Sequence, residues 1–152
     1  MKRIIFCLLT FMVLSCSKTI EPSLGLYPVY FEVNLNTEWR LQASQASKIF
    51  TEKNTNQHDA RFGLGGILVY NGFSNNGGSQ NVYYAFDAAC PYEASSNVTV
   101  EVQDGVFAVC PKCGSKYDIS NGVGNPMEGP ATKVLQHYRV DQTDKTLLIR
   151  NY

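Results

Sequence analysis

The sequence predicts a small all-β domain, and three observations carry that expectation. Apolar and polar residues alternate at period two in several short runs. Segments rich in Gly, Asn and Ser separate those runs, and 12 glycines are spread along the 152 residues. Charged residues make up only 17% of the chain against 44% apolar, which argues against both a coiled coil and a disordered chain. One domain accounts for this length, with enough residues to enclose a core. The 13 basic and 13 acidic side chains cancel, so there is no basic excess to neutralise phosphates, and a nucleic-acid partner is not expected.

The chain opens on Lys2 and Arg3 followed by an apolar run over residues 4–14. As a helix those 11 residues reach about 16 Å, half of a hydrocarbon core of roughly 30 Å, so they cannot span it. A basic start, a short apolar stretch and Val13-Leu14-Ser15-Cys16 read as a secretory leader. This stretch resembles a bacterial lipoprotein signal, which implies cleavage before Cys16 and acylation of Cys16 as the first residue of the mature chain. On that reading residues 1–15 are the leader, 16–25 a lipid-anchored tether and 26–152 the folded domain. The protein is then expected in the bacterial cell envelope, periplasmic or surface-exposed, held to a membrane through its lipid. Removing residues 1–15 leaves 137 residues with 11 basic and 13 acidic groups, a net charge of −2.

The remaining elements follow in order. Val29, Phe31, Val33 and Leu35 alternate with polar neighbours, the pattern of a half-buried strand. Residues 42–50 are the one stretch with weak helical character. Residues 66–70 and 81–86 are β-branched or aromatic runs, and the intervening residues 71–80 read as a loop. Val98, Val100 and Val102 alternate, Asp104-Gly105 suits a turn with φ > 0, and residues 106–109 run back, so this segment reads as a β-hairpin. Residues 134–140 and 146–149 form a final pair around the polar turn 141–145. The total is about eight strands, with no internal repeat.

Two cysteine loops flank the hairpin: Cys90-Pro91-Tyr92-Glu93 before it and Cys110-Pro111-Lys112-Cys113-Gly114-Ser115-Lys116-Tyr117-Asp118 after it. A Cys-x-x-Cys pair suits thiolate metal binding, because two intervening residues let both sulfurs turn toward one ion. Cys90, Cys110 and Cys113 are therefore the candidate ligands. Thiols exposed to an oxidising compartment also pair, so a disulfide between Cys90 and either Cys110 or Cys113 competes with a metal.

These loops and their surroundings resemble a Rieske domain over roughly residues 66–150. The family pattern is C-x-H, a spacer of about 15–17 residues, then C-P-x-H-G-S-x-F-D, a later Gly and G-P-A. Here Cys90-Pro91-Tyr92 is followed after 17 residues by Cys110, and then come Gly122, Gly129-Pro130-Ala131 and Tyr138. Both family histidines are replaced, with Tyr92 at the first position and Cys113 at the second. The resemblance implies a Rieske-like fold, a 2Fe-2S cluster and electron transfer, with Cys90 and Cys110 on one iron and Cys113 and Tyr92 left for the other. A phenolate is a poor cluster ligand, so the alternatives of zinc, a disulfide or no metal stay open beside the cluster. With no catalytic domain in sight, a carrier with an unidentified redox partner and an interaction module contacting another envelope protein are both preferred to an enzyme.

Other features have plainer readings. His58 falls in a polar loop and His137 on a strand, each expected to be a solvated or simply packed histidine rather than a fourth ligand. Gly63-Leu64-Gly65-Gly66 precedes a strand rather than a helix, which disfavours a phosphate cradle. The aromatics at strand spacing, Tyr27, Tyr30, Phe31, Tyr83, Tyr84 and Phe86, are for the most part expected in the core or in cross-strand pairs. No Ser/His/Asp set can be assembled, so a hydrolase is not expected.

Overall fold

The computed structural model describes residues 22–73 and 81–152. The leader, Cys16 and most of the 71–80 loop lie outside the described residues. Two antiparallel sheets are formed by the strands β1 (Val29–Asn34), β2 (Ser47–Phe50), β3 (Arg61–Phe62), β4 (Ile67–Gly72), β5 (Val82–Asp87), β6 (Glu101–Gln103), β7 (Phe107–Val109), β8 (Lys116–Asp118), β9 (Asn125–Glu128), β10 (His137–Gln142) and β11 (Thr146–Arg150). The seven-stranded sheet runs β2-β4-β5-β10-β11-β1-β3, and the four-stranded sheet runs β6-β7-β8-β9. The protein is all-β, as the alternation predicts, with its two cysteine loops flanking a hairpin of the smaller sheet.

The large sheet curls toward closure. Its edge strands contribute Phe50 and Phe62, whose rings both lie 5.2 Å from that of Phe31 on β1. Val29, Phe31 and Val33 point inward while Tyr30, Glu32 and Asn34 point out, which is the alternation read from the sequence. Leu147 and Ile149 on β11 and Tyr138 on β10 complete this first core.

The strands β4 and β5 belong to two cores at once. Ile67, Val69, Tyr83 and Ala85 face the first core. Leu68, Tyr70 and Phe86 face a second, which is closed by Val100, Ala108, Tyr117, Ile119 and Leu135. A strand covered on both faces has no reason to alternate, and every residue of β4 is buried. Each end of this shared wall holds one buried polar residue, Asn71 and Asp87.

The expected helix over residues 42–50 does not form. Trp39–Gln42 makes one short 3-10 turn, and Ser47–Phe50 is strand β2, paired with β4 from Ser47↔Tyr70 to Phe50↔Ile67. Asn71 explains the outcome. Its side-chain amide donates to the carbonyls of Leu41 and Ala43 at 3.0 and 3.1 Å, and its backbone exchanges hydrogen bonds with Gln45 and Ala46. Gln45 takes a φ of 63°, which ends any helix and turns the chain onto the sheet edge. Three further short strands, β3, β8 and β9, raise the count above the eight expected. The 71–80 loop starts later than expected, because Asn71 and Gly72 still pair within β4. Likewise the strand expected at 134–140 begins only at His137.

The hairpin between the cysteine loops forms as anticipated. Asp104 and Gly105 have φ of 51° and 70°, and β6 pairs with β7 from Glu101↔Val109 to Gln103↔Phe107.

Candidate metal centre

Each cysteine loop is presented by the edge of a strand. The first leaves β5: Ala89 bridges to Thr99, and Cys90 donates its amide to Val98 O at 3.1 Å. The second is the turn between β7 and β8, where Cys110 donates to Ser115 O at 2.8 Å. The β7–β8 pairing, with Val109 opposite Lys116, sets this loop at the end of the second core, beside the first loop.

The outcome is a triangle of sulfurs. Cys90, Cys110 and Cys113 have their Sγ atoms within 4.8 Å of one another, with 3.7 Å between Cys90 and Cys113. Cys90 and Cys110 are wholly buried, Cys113 partly so, and all three are free thiols. Such a group could hold a metal ion. With metal–sulfur bonds of about 2.3 Å, two vertices of one tetrahedron lie about 3.8 Å apart, close to the separation found here. Sulfurs on opposite irons of a two-iron cluster lie farther apart, roughly 5 Å or more with bonds of similar length. The Cys90–Cys113 separation is thus close to the edge of a single-ion tetrahedron and shorter than that of a pair on opposite irons.

Polar hydrogens surround the sulfurs. Tyr117, fully buried on β8, has its hydroxyl 3.3 Å from Cys90 Sγ. Ser115 Oγ lies 3.1 Å from Cys113 Sγ and accepts the Ala131 amide at 3.1 Å. The Gly129-Pro130-Ala131 segment thus closes over the second loop. A Cβ on Gly129, whose φ is 87°, would come within 2.6 Å of Ser115 Cα, so only glycine fits.

This environment separates the thiols electrostatically. Burial pushes the Cys110 thiol up to about 11. Burial acts on Cys113 in the same direction, but its hydrogen bonds to Ser115 and the neighbouring thiols outweigh it and leave its pKa below the ordinary thiol value. Burial, then contact with Cys90, raises the Tyr117 phenol far above its usual range.

The other candidates lie elsewhere. Tyr92 is 57% exposed and has no hydrogen bond to any of the sulfurs. His58 is exposed; His137 is half-buried in β10 with its ring edge-on to Tyr152, and neither joins the thiols. Ser115 and Tyr117 join the site beyond the residues expected from the sequence, because the spacing that places Cys113 in the loop also carries them inward.

The glycine loop cradles an internal anion. Leu64 and Gly65 donate their amides to the Asp87 carboxylate at 2.7 and 2.9 Å, Ala89 donates at 2.8 Å and the Tyr138 hydroxyl at 2.8 Å. Gly63, at φ 66°, sits where a Cβ would lie 2.4 Å from that carboxylate. The loop's amide donors are thus used structurally, on Asp87, which lies three residues before Cys90.

Fold and site together define an all-β protein with a three-thiol centre at the edge of its smaller sheet. No family model matches the sequence, and no curated protein matches it. Among solved structures it is similar to a chain of the complex of reduced oxygenase and oxidized ferredoxin in carbazole 1,9a-dioxygenase, at 17% identity and a TM-score of 0.49, covering 80% of this chain and 93% of that one. It is also similar to a Sphingomonas yanoikuyae B1 ferredoxin, at 17% identity and a TM-score of 0.46, covering 84% of this chain and 98% of that one.

Proposed function

We propose that this chain is an envelope lipoprotein whose Rieske-like domain holds a single thiolate-bound metal ion, zinc by its ligand chemistry, and serves as an interaction module. The observation that carries this reading is the convergence of Cys90, Cys110 and Cys113 within 4.8 Å of one another. Soft thiolates at tetrahedral spacing suit zinc, which organises loops without redox chemistry. An ion there would tie the first cysteine loop to the second and fix the surface around Tyr92 and Lys112, both of which are exposed. That surface is where an envelope partner would dock. Cys16 anchors the chain through its lipid, and residues 16–25 act as the spacer.

Purification from the native host without oxygen, followed by metal analysis and a free-thiol count, tests the centre. The expected result is a colourless protein with one zinc and no reactive thiol among the three. A brown protein with about two irons per chain and visible charge-transfer absorption would replace this reading by the 2Fe-2S carrier. A metal-free protein with one disulfide would replace it by an oxidised structural module. Anchoring is tested by fractionating Cys16→Ala, which should leave the membrane pellet; retention there would end the lipoprotein reading.

A further inference from the structure

The two cysteine loops share one backbone design. In the first, Cys90-Pro91-Tyr92-Glu93-Ala94 returns the Ala94 amide to Cys90 O at 2.9 Å. In the second, Cys110-Pro111-Lys112-Cys113-Gly114 returns the Gly114 amide to Cys110 O at 3.0 Å. The residue that closes each turn is left-handed, with φ of 45° at Ala94 and 71° at Gly114. For glycine that conformation is free. An alanine adopts it only at a cost, so the first loop keeps the turn against its own local preference.

This equivalence draws attention to another residue of the first loop. The residue matching Cys113 is Glu93, three positions after its cysteine, and Tyr92 matches the exposed Lys112. The side chains behave accordingly. Tyr92 is 57% exposed, whereas the Glu93 carboxylate-bearing side chain is only 11% exposed and is ion-paired with Lys112 of the other loop. A carboxylate so enclosed needs a fixed partner, and a single exposed lysine covers one face of it.

We propose that Glu93 is the fourth ligand of the centre, completing a Cys3Glu site with Cys90, Cys110 and Cys113; this rests on the single-ion reading above. Glu93 does not lie within 4.8 Å of all three sulfurs. Binding turns its side chain so that one oxygen meets the ion while Lys112 stays close to the other. Three thiol protons leave to solvent as the ion enters. Three thiolates and a carboxylate around a divalent ion carry a net charge of −2, and Lys112 offsets part of it. The site thus selects zinc or a similar thiophilic divalent ion.

The test is titration of the reduced full chain with Zn(II), and with Co(II) as a spectroscopic stand-in. The parent should bind one ion, protect all three thiols from alkylation and give the visible bands of tetrahedral Co(II). Glu93→Gln should weaken zinc at least tenfold and alter the Co(II) bands, while Tyr92→Phe should change neither. Glu93→Cys should restore tight binding and raise the sulfur-to-cobalt charge-transfer intensity by about a third, as a fourth thiolate joins three. Should Glu93→Gln bind like the parent with unchanged Co(II) bands, Glu93 is not a ligand and the three-thiol centre stands without it. Should the parent bind no ion under reducing conditions, the single-ion reading itself fails.

Discussion

The core enclosed by the large sheet and the core beneath the small sheet share the wall β4–β5, yet they differ in the polar atoms they admit. The first is lined by Phe31, Val33, Ile67, Leu147, Ile149 and their like, and its buried Tyr138 hydroxyl is taken up by Asp87. The second admits the Cys90 and Cys110 sulfurs, the Ser115 hydroxyl and the Tyr117 phenol among Leu68, Phe86 and Leu135. Apolar packing stabilises by area alone, whereas buried polar groups must be matched one by one. Both cores stabilise by apolar burial, and the second also carries the thiols.

The largest effect should come from the residue that serves both cores. Asp87→Ala removes the acceptor of four donors and should cost about 3–5 kcal/mol in denaturant unfolding, abolishing folding if the parent is marginal. A loss below about 1 kcal/mol would mean that water replaces the carboxylate and that the wall is not held there.

A matched pair sharpens the contrast. Phe31→Ala should cost about 3–5 kcal/mol while leaving thiol reactivity of the folded protein unchanged. Tyr117→Phe should cost only about 1 kcal/mol, yet slow alkylation of Cys90 by removing a hydroxyl that can donate to its thiolate. If both variants changed thiol reactivity alike, the two cores would not be separable.

Within the second core the thiols should differ. In the reduced, metal-free protein Cys113 should react first with iodoacetamide at neutral pH, because it is partly exposed and its thiolate is favoured. Cys110, buried and shifted to about 11, should react last and only as the pH approaches that value. Mass mapping of the labelled cysteines checks the order, and Cys110 reacting first would refute it.

The smallest effect concerns His137. Burial lowers its pKa below the ordinary 6.5, so the unfolded chain binds the proton more readily than the folded one. Stability should then fall as the pH drops from 6.5 through the folded value and be unaffected above 6.5. His137→Phe should flatten that slope. A slope unchanged by the substitution would assign it to other groups.

How much of this was legible in advance depended on whether the cue was local. Val29, Phe31 and Val33 alternate because one face is wet, and Asp104-Gly105 turns because both positions need positive φ; each cue lies in the residues concerned. The β2 strand was hidden, since what makes Ser47–Phe50 extended is Asn71 more than twenty residues away. The three cysteines announced themselves by spacing, and the structure brings their sulfurs together. The match between Glu93 and Cys113 is not legible in residue type, because it lies in the hydrogen bond and φ that the two turns share.

The doubly covered wall raises a question of alignment. A strand that is apolar on both sides offers no wet face to tell one pairing from a neighbour shifted by a residue. Here the shift is penalised at the two ends. Asn71 on β4 stands opposite Tyr83, and Asp87 on β5 stands opposite Ile67, at the far end of the same pair. Sliding by one residue would move Asn71 away from the Leu41 and Ala43 carbonyls and Asp87 away from the amides of Leu64 and Gly65, stranding a buried amide and a buried carboxylate at once. The interior of the pair supplies adhesion, and its two polar ends act as stops that make one alignment unique.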